Sequence, residues 1–164
     1  MNVAVIMGSD SDYPVLEPLV KTLEEFGIES EILVASAHRT PEKVHLFASS
    51  AKQRGIKVII AAAGAAAHLA GVVASVTTLP VIGIPIKSSA LNGMDSLLST
   101  AQMPAGIPVA TMAIDGAKNA ALFAIEILAL SNESLSDKLE AYRDNLKIEV
   151  EQKNAKLQEK LNKN

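Results

Sequence analysis

Cysteine and tryptophan are absent from the 164 residues, tyrosine occurs twice and phenylalanine three times. Without cysteine the chain can form no disulfide, carry no thiolate nucleophile and hold no cysteine-ligated zinc. It also lacks a long hydrophobic run: glycine, proline or a charge interrupts every apolar stretch before the roughly 20 residues that a membrane helix needs. The opening MNVAVIMGSD has no basic region and turns polar after seven residues, so no secretory signal is expected and the chain is read as cytoplasmic. Net charge is −3 with no basic cluster, which argues against a nucleic-acid partner. Charge is scarce in one part only. Residues 132–164 hold seven Lys/Arg and seven Asp/Glu, leaving 8 and 11 for residues 1–131. A body so poor in charge, in a chain 49% hydrophobic, is expected to hide apolar surface in a homo-oligomer.

What is present is a regular alternation. Val3–Met7 and residues 32–35, 58–62, 81–84 and 109–112 are short, near-continuous apolar runs, the pattern of buried parallel strands. Between them, residues 13–26, 41–54, 68–75, 94–102 and 117–130 read as helices. Pro14 and Pro41 stand where a first helical turn accepts proline, and Gly27 and Gly55 where helices stop. This β-α-β-α order predicts a three-layer α/β/α fold, a doubly wound parallel sheet with helices on both faces. From Ser134 onward there is no Gly or Pro. Leu135, Leu139, Tyr142, Leu146, Val150, Leu157 and Leu161 form a narrow apolar stripe on what should be one long C-terminal helix. The expected organisation is a single catalytic domain, with an α/β body over 1–131 and a helical extension over 132–164 that lies between subunits.

Sites in such folds lie beyond the carboxyl ends of the strands. The loop after the first strand is Gly8-Ser9-Asp10-Ser11-Asp12, whose amides and hydroxyls at a helix N-terminus suit an anion. Asp12 could accept from ribose hydroxyls while Asp10 faces solvent; the plainer reading is a helix N-cap cluster. The loop after the second strand is Ser36-Ala37-His38-Arg39-Thr40-Pro41. Thr40 is a plausible N-cap, which leaves His38 and Arg39 projecting. Arg39 suits a phosphate, and His38 suits proton transfer near neutral pH. The third loop, residues 61–71, surrounds His68 with alanine and glycine, which fits either close approach to a flat ligand or close helix packing. His45 falls mid-helix and should point away, so no metal site is expected from the three histidines.

Taken together, GSDSD, SAHRTP, AAGAAAHLAG, the run Asn92-Gly93-Met94-Asp95-Ser96-Leu97-Leu98-Ser99, then Gln102-Met103-Pro104-Ala105-Gly106-Ile107-Pro108-Val109 and Asn119-Ala120-Ala121 follow one order. In that order the chain resembles the N5-carboxyaminoimidazole ribonucleotide mutase family (PurE) of bacterial purine synthesis, from Val3 to about Leu130. The AAHL loop is similar to the mutase class, class I, and not to the animal-type carboxylase class. Ala70 departs from the pattern, standing where the family usually has proline. The resemblance implies a flavodoxin-like domain assembled as a homo-octamer, with a ribonucleotide substrate and no cofactor or metal. It implies His38 as acid/base catalyst and Ser9, Asp12 and Arg39 as substrate-binding residues, to which the loops add Ser11, Ser36 and His68 as candidates.

Chemistry at the residues is compatible. One imidazole can protonate the carbamate nitrogen, releasing carbon dioxide, and later take the C4 proton as the ring is carboxylated there. Such a route needs no thiol and a closed apolar pocket to hold the carbon dioxide. Two readings compete. A carbon-dioxide-using carboxylase on the same fold would depend on bicarbonate. A flavodoxin-like nucleotide-binding module would need aromatic rings around a flavin, and Tyr13 is the only aromatic residue near a site loop. A structural subunit leaves His38 and Arg39 unexplained.

Overall fold

In the computed structural model, which describes residues 2–162, five strands form one parallel sheet. They are β1 (Val3–Met7), β2 (Ser30–Val34), β3 (Val58–Gly64), β4 (Val81–Ile86) and β5 (Ala110–Thr111), in the order β2-β1-β3-β4-β5. That is the flavodoxin-like doubly wound order. The chain leaves β1 toward one edge and returns past it to β3, so the carboxyl ends of β1 and β3 flank the point where the winding reverses. The helices are α1 (Tyr13–Glu25), α2 (Pro41–Ser50), α3 (Leu69–Ser75), α4 (Met94–Ala101), α5 (Ala117–Ala129) and α6 (Glu133–Leu161).

Strand alternation divides the core between two faces. Ala4 and Ile6 of β1 and Ile59 and Ala61 of β3 share one buried cluster with Val44, Phe47 and Ala48 of α2 and Leu69, Ala70 and Val73 of α3. Val3, Val5 and Met7 point the other way and are equally buried, as are Leu16, Leu19 and Leu23 of α1 and Ala121, Ala124 and Ile125 of α5. Aliphatic side chains supply nearly all of this core, which is how a chain with so few aromatic rings fills it.

Several expected boundaries move. β2 is an edge strand with one neighbour, and its Ile32 and Val34 are 40% and 43% exposed, so the expectation of a buried strand there is corrected. It also begins at Ser30, two residues early. β5 shrinks to two residues beyond Pro108. α2 stops at Ser50 and not at Arg54: the Ser50 hydroxyl donates to the Leu46 carbonyl at 2.6 Å and that of Ser49 to the same oxygen at 3.4 Å. Such side-chain bonds compete with the helical ladder, and the chain then turns to Gly55 at φ +83°. Gly27, at φ +77°, ends the turn after α1 as expected.

The chain divides into two compact units, Met1–Ile127 and Leu128–Asn164. The second is dominated by α6, a 29-residue helix whose N-cap Asn132 accepts from the Leu135 amide at 3.2 Å. Leu135 is buried, whereas Leu146, Val150, Leu157 and Leu161 of the stripe are exposed. Among the described residues no helix is long and apolar enough to cross a membrane.

Candidate active site

Register brings three loops to one place. Met7 pairs with Val34 on one side and with Ala62 on the other, so β1, β2 and β3 end in a row. The ladder runs one step further, with the Gly8 amide donating to the Ala62 carbonyl at 3.1 Å and the Ala35 amide to the Met7 carbonyl at 2.9 Å. Beyond that row opens a cavity of about 380 Å³ lined by Gly8, Ser9, Asp12, His38, Arg39 and Ala63 among others. Its volume lies within the range of small-molecule sites, about 300–1,000 Å³. No Phe or Tyr is among its lining residues. A larger cleft, about 810 Å³, lies at the amino-terminal end of β4 and gathers no histidine, arginine or carboxylate.

The first loop is a helix N-cap cluster in its geometry, and it also lines the cavity. Ser9 caps a short 3-10 turn over Asp10–Asp12: its hydroxyl accepts from the Ser11 amide at 3.3 Å and from the Ser11 hydroxyl at 2.8 Å. The Ser9 amide donates back to the Asp12 carboxylate at 3.2 Å, closing a capping box. Asp10 is exposed and Asp12 is buried. Burial pushes the Asp12 carboxyl above its ordinary value of 3.8; Asp10 adds to the shift, and the Ser9 amide and Ser11 hydroxyl work against it. An amino-terminal turn with two hydroxyls and Arg39 nearby is attractive to an anion. A Cβ on Gly8 would meet Ala63 and Asp12 only at 3.8–3.9 Å, so packing does not demand glycine there; leaving it bare widens the cavity.

In the second loop Thr40 occupies the N-cap position without capping α2. Its hydroxyl instead accepts from the Ser36 amide at 2.9 Å and donates to the Ser36 carbonyl at 3.1 Å, and the Ser36 hydroxyl accepts from the Arg39 amide at 3.3 Å. The five residues are braced across their base, and His38 and Arg39 project, both exposed. Ser36 therefore lines the cavity chiefly as the loop's brace. Arg39 turns back over the first loop, donating to the Gly8 carbonyl at 3.4 Å.

The third loop supplies what the spacing of the residues could not show. His68 Nδ1 lies 2.9 Å from His38 Nε2, with the rings edge to face at 79°. Facing nitrogens at that distance hold one proton between them, so one ring donates and the other accepts. His68 is the N-cap residue of α3 and is reached through Ala65, whose φ of +52° is uncommon for a residue with a Cβ. Strained backbone of this kind concentrates at functional sites. Ala70 lies in the first turn of α3 and is buried, so helix and core hold the segment where proline would otherwise stiffen it. His45 is exposed on α2, and among the described residues no three His, Cys, Asp or Glu side chains gather as a metal site would require.

The candidates Ser9, Asp12, Ser36, His38 and Arg39 thus meet at one cavity; His68 joins through His38, and Ser11 through Ser9. Gly8, Ala63 and Gly64, at the strand ends where the first and third loops begin, form walls of the same cavity.

Comparison with known proteins gives the family and the fold. The model of the AIR carboxylase family matches residues 2–149. The N5-carboxyaminoimidazole ribonucleotide mutase of Pyrococcus horikoshii is 58% identical over 157 residues, covering 96% of this chain and 89% of that protein. The protein of the same name from Thermotoga maritima is 53% identical, covering 96% and 92%. The crystal structure of Treponema denticola PurE superposes with a TM-score of 0.85 at 30% identity, covering 94% of this chain and 97% of that one.

Proposed function

The chain belongs to the AIR carboxylase family, and from that footing we propose the reaction its site performs. It is an N5-carboxyaminoimidazole ribonucleotide mutase, an isomerase of purine biosynthesis that moves a carboxylate from the exocyclic nitrogen to C4 of the imidazole. The observation that carries the reading of the site is the His38–His68 pair, set at a cavity whose other polar groups suit a nucleotide.

His38 is the proton shuttle. Its imidazolium gives a proton to the carbamate nitrogen, the N–C bond breaks, and carbon dioxide and aminoimidazole ribonucleotide remain in the cavity. C4 then attacks the carbon dioxide, and the now neutral imidazole removes the C4 proton, which restores the starting state. Ala63, Gly64, Ala66 and Leu69 line the cavity with small or apolar groups, and holding carbon dioxide against C4 there replaces a bimolecular encounter. His68 orients His38 and faces the ring or the transferred carboxylate. Arg39, with Ser9 and Ser11 at the amino-terminal turn, takes the phosphate; Asp12 takes the ribose hydroxyls; Ser36 holds the loop that presents His38. The cavity's lack of Phe and Tyr favours this reading over a flavin site.

The protein is further read as one catalytic domain of a cytoplasmic homo-octamer, with a small-molecule ribonucleotide as its partner and neither nucleic acid nor membrane. The charge-poor body and the exposed stripe of α6 support assembly. The direct test supplies the carbamate ribonucleotide without bicarbonate. C4-carboxylated product is expected; product that appears only when aminoimidazole ribonucleotide and bicarbonate are supplied would make the chain a carboxylase instead.

A further inference from the structure

α4 carries residues that the reaction above does not use, yet its hydroxyls reach the loop beneath His68. The Ala67 amide donates to Ser99 Oγ at 3.1 Å, and Ser99 Oγ donates to the Asp95 carbonyl of its own helix at 2.7 Å. A serine hydroxyl has one proton and two lone pairs. With the proton committed within α4, a lone pair is left to hold Ala67. Thr100, the next residue, spends its own short bond on the Ser96 carbonyl at 2.7 Å and reaches the Ala67 carbonyl only at 3.5 Å. Ser99 is the stronger tie.

Ser99 holds a turn that otherwise closes on itself, with the Ala67 amide shared with the Ala65 carbonyl at 2.9 Å and the His68 amide on the Ala66 carbonyl at 2.8 Å. Ala65 sits at φ +52°, Ala65 and Ala66 are exposed, and neither offers a side chain that could brace the loop. Ala67 is buried, and it immediately precedes His68. α4 itself is firmly seated: the buried Ser96 hydroxyl bonds the Ile86 carbonyl at 2.7 Å, and the Asp95 carboxylate accepts from the Ser88 hydroxyl at 2.6 Å. A fixed helix therefore gives an outside anchor to a turn whose own bonds set its shape but not its place against the rest of the fold.

We infer that Ser99 is a positioning residue for the His38–His68 pair, acting through the Ala67 amide to set where the His68 ring stands. The inference rests on the reading of His38 as the proton shuttle for its effect on rate, but not for its effect on the rings.

The test compares wild type with Ser99→Ala at one fixed pH. The helix accepts alanine readily, and the Ala67 amide keeps its bond to the Ala65 carbonyl at 2.9 Å, so the fold should survive. The chain has three histidines, of which exposed His45 serves as an internal reference. In protein with nitrogen-labelled histidine, the ring-nitrogen signals of His38 and His68 should move toward those of His45, which should itself stay put. With the carbamate ribonucleotide as substrate, kcat should fall about tenfold and KM change by less than about threefold. Unchanged His38 and His68 signals would overturn the inference, as would a loss confined to KM. Should Ser99→Ala not fold, Ser99→Cys removes the strong acceptor at similar volume and carries the same two readouts. If the ring signals move while wild type shows no mutase turnover, the proposed reaction fails and the positioning role stands.

Discussion

At the scale of single residues the proposed site turns on two groups with different tasks. In the proposed mechanism His38 carries the proton, and it projects from a braced loop against His68 at 2.9 Å. His38→Asn keeps a hydrogen-bonding group but cannot carry a proton. Because general acid–base catalysis is worth about 10²–10⁴ in rate, turnover should fall by that factor while nucleotide binding stays within a few-fold. Retention of more than about a tenth of the wild-type rate would remove His38 from its role. In the proposed mechanism Asp12 accepts from ribose as a carboxylate, and burial raises its carboxyl above 3.8. Its charge is therefore lost at a higher pH than an ordinary aspartate's, and KM should rise on the acid limb earlier than free carboxylates would predict. Asp12→Asn should flatten that limb and raise KM at neutral pH by about tenfold, since a bond to a charged acceptor is worth roughly 1.5–3 kcal/mol. For stability the sign is reversed: ionised Asp12 works against the fold above its raised value, and that penalty vanishes as pH falls below 3.8. His38 and Arg39 stood out as candidates in the sequence because packing has little use for such side chains in a loop at a strand end, whereas Asp12, which also closes a capping box, was assigned by the resemblance. The 30-residue span from His38 to His68 was not legible, because the meeting of two loops is set by the register of β2, β1 and β3, which no local pattern encodes.

At the scale of elements the strands differ in how well apolar pattern located them. β1, β3 and β4 are flanked on both sides and buried throughout most of their length, so a continuous apolar run marks each of them. The runs at residues 32–35 and 109–112 also mark strands, but β2 is an edge strand whose exposure alternates, and β5 keeps only two residues of its run. The extra residues of β3, Ala63 and Gly64, pair with Pro85 and Ile86 of β4 and carry the sheet up to the cavity. Within β4, Gly83 has a packing reason that the sequence did not reveal. A Cβ there would run into Thr100 Cγ2 and lie 3.0 Å from Val109 Cγ1 and 3.3 Å from Ala70 Cβ. Overpacking of a closed core costs about 1–3 kcal/mol, so Gly83→Ala should lower unfolding stability by that amount in a denaturant titration. The added methyl also presses on α4, the helix that carries Ser99. A loss of activity beyond the loss of folded protein is expected with it. If stability is unchanged, the β4–α4 packing is looser than these distances describe.

At the scale of the whole molecule the question is what the apolar surface is for. Residues 1–131 carry 19 charges and residues 132–164 carry 14, so the extension is where solubility is concentrated. Yet α6 also presents Leu146, Val150, Leu157 and Leu161 at 41%, 62%, 52% and 58% exposure. α6 buries one stripe residue, Leu135, and helices in proteins draw most of their stability from packing an apolar face. Seven charges of each sign leave residues 132–164 neutral overall, so electrostatics would contribute little to docking. Covering four partly exposed aliphatic side chains would contribute several kcal/mol, at about 1.5–3 kcal/mol for each one fully buried and less for the fraction still exposed. Ordering of the side chains opposes this, which leaves an interaction able to shift an assembly equilibrium without dominating it. Deletion of residues 134–164 should therefore weaken the proposed oligomer, so that sedimentation shows smaller species at low protein concentration, with activity falling in parallel and recovering as concentration rises. A truncated protein that keeps the full-length sedimentation coefficient and rate at every concentration would assign assembly to the α/β body alone. It would also leave the apolar stripe of α6 without a role in it.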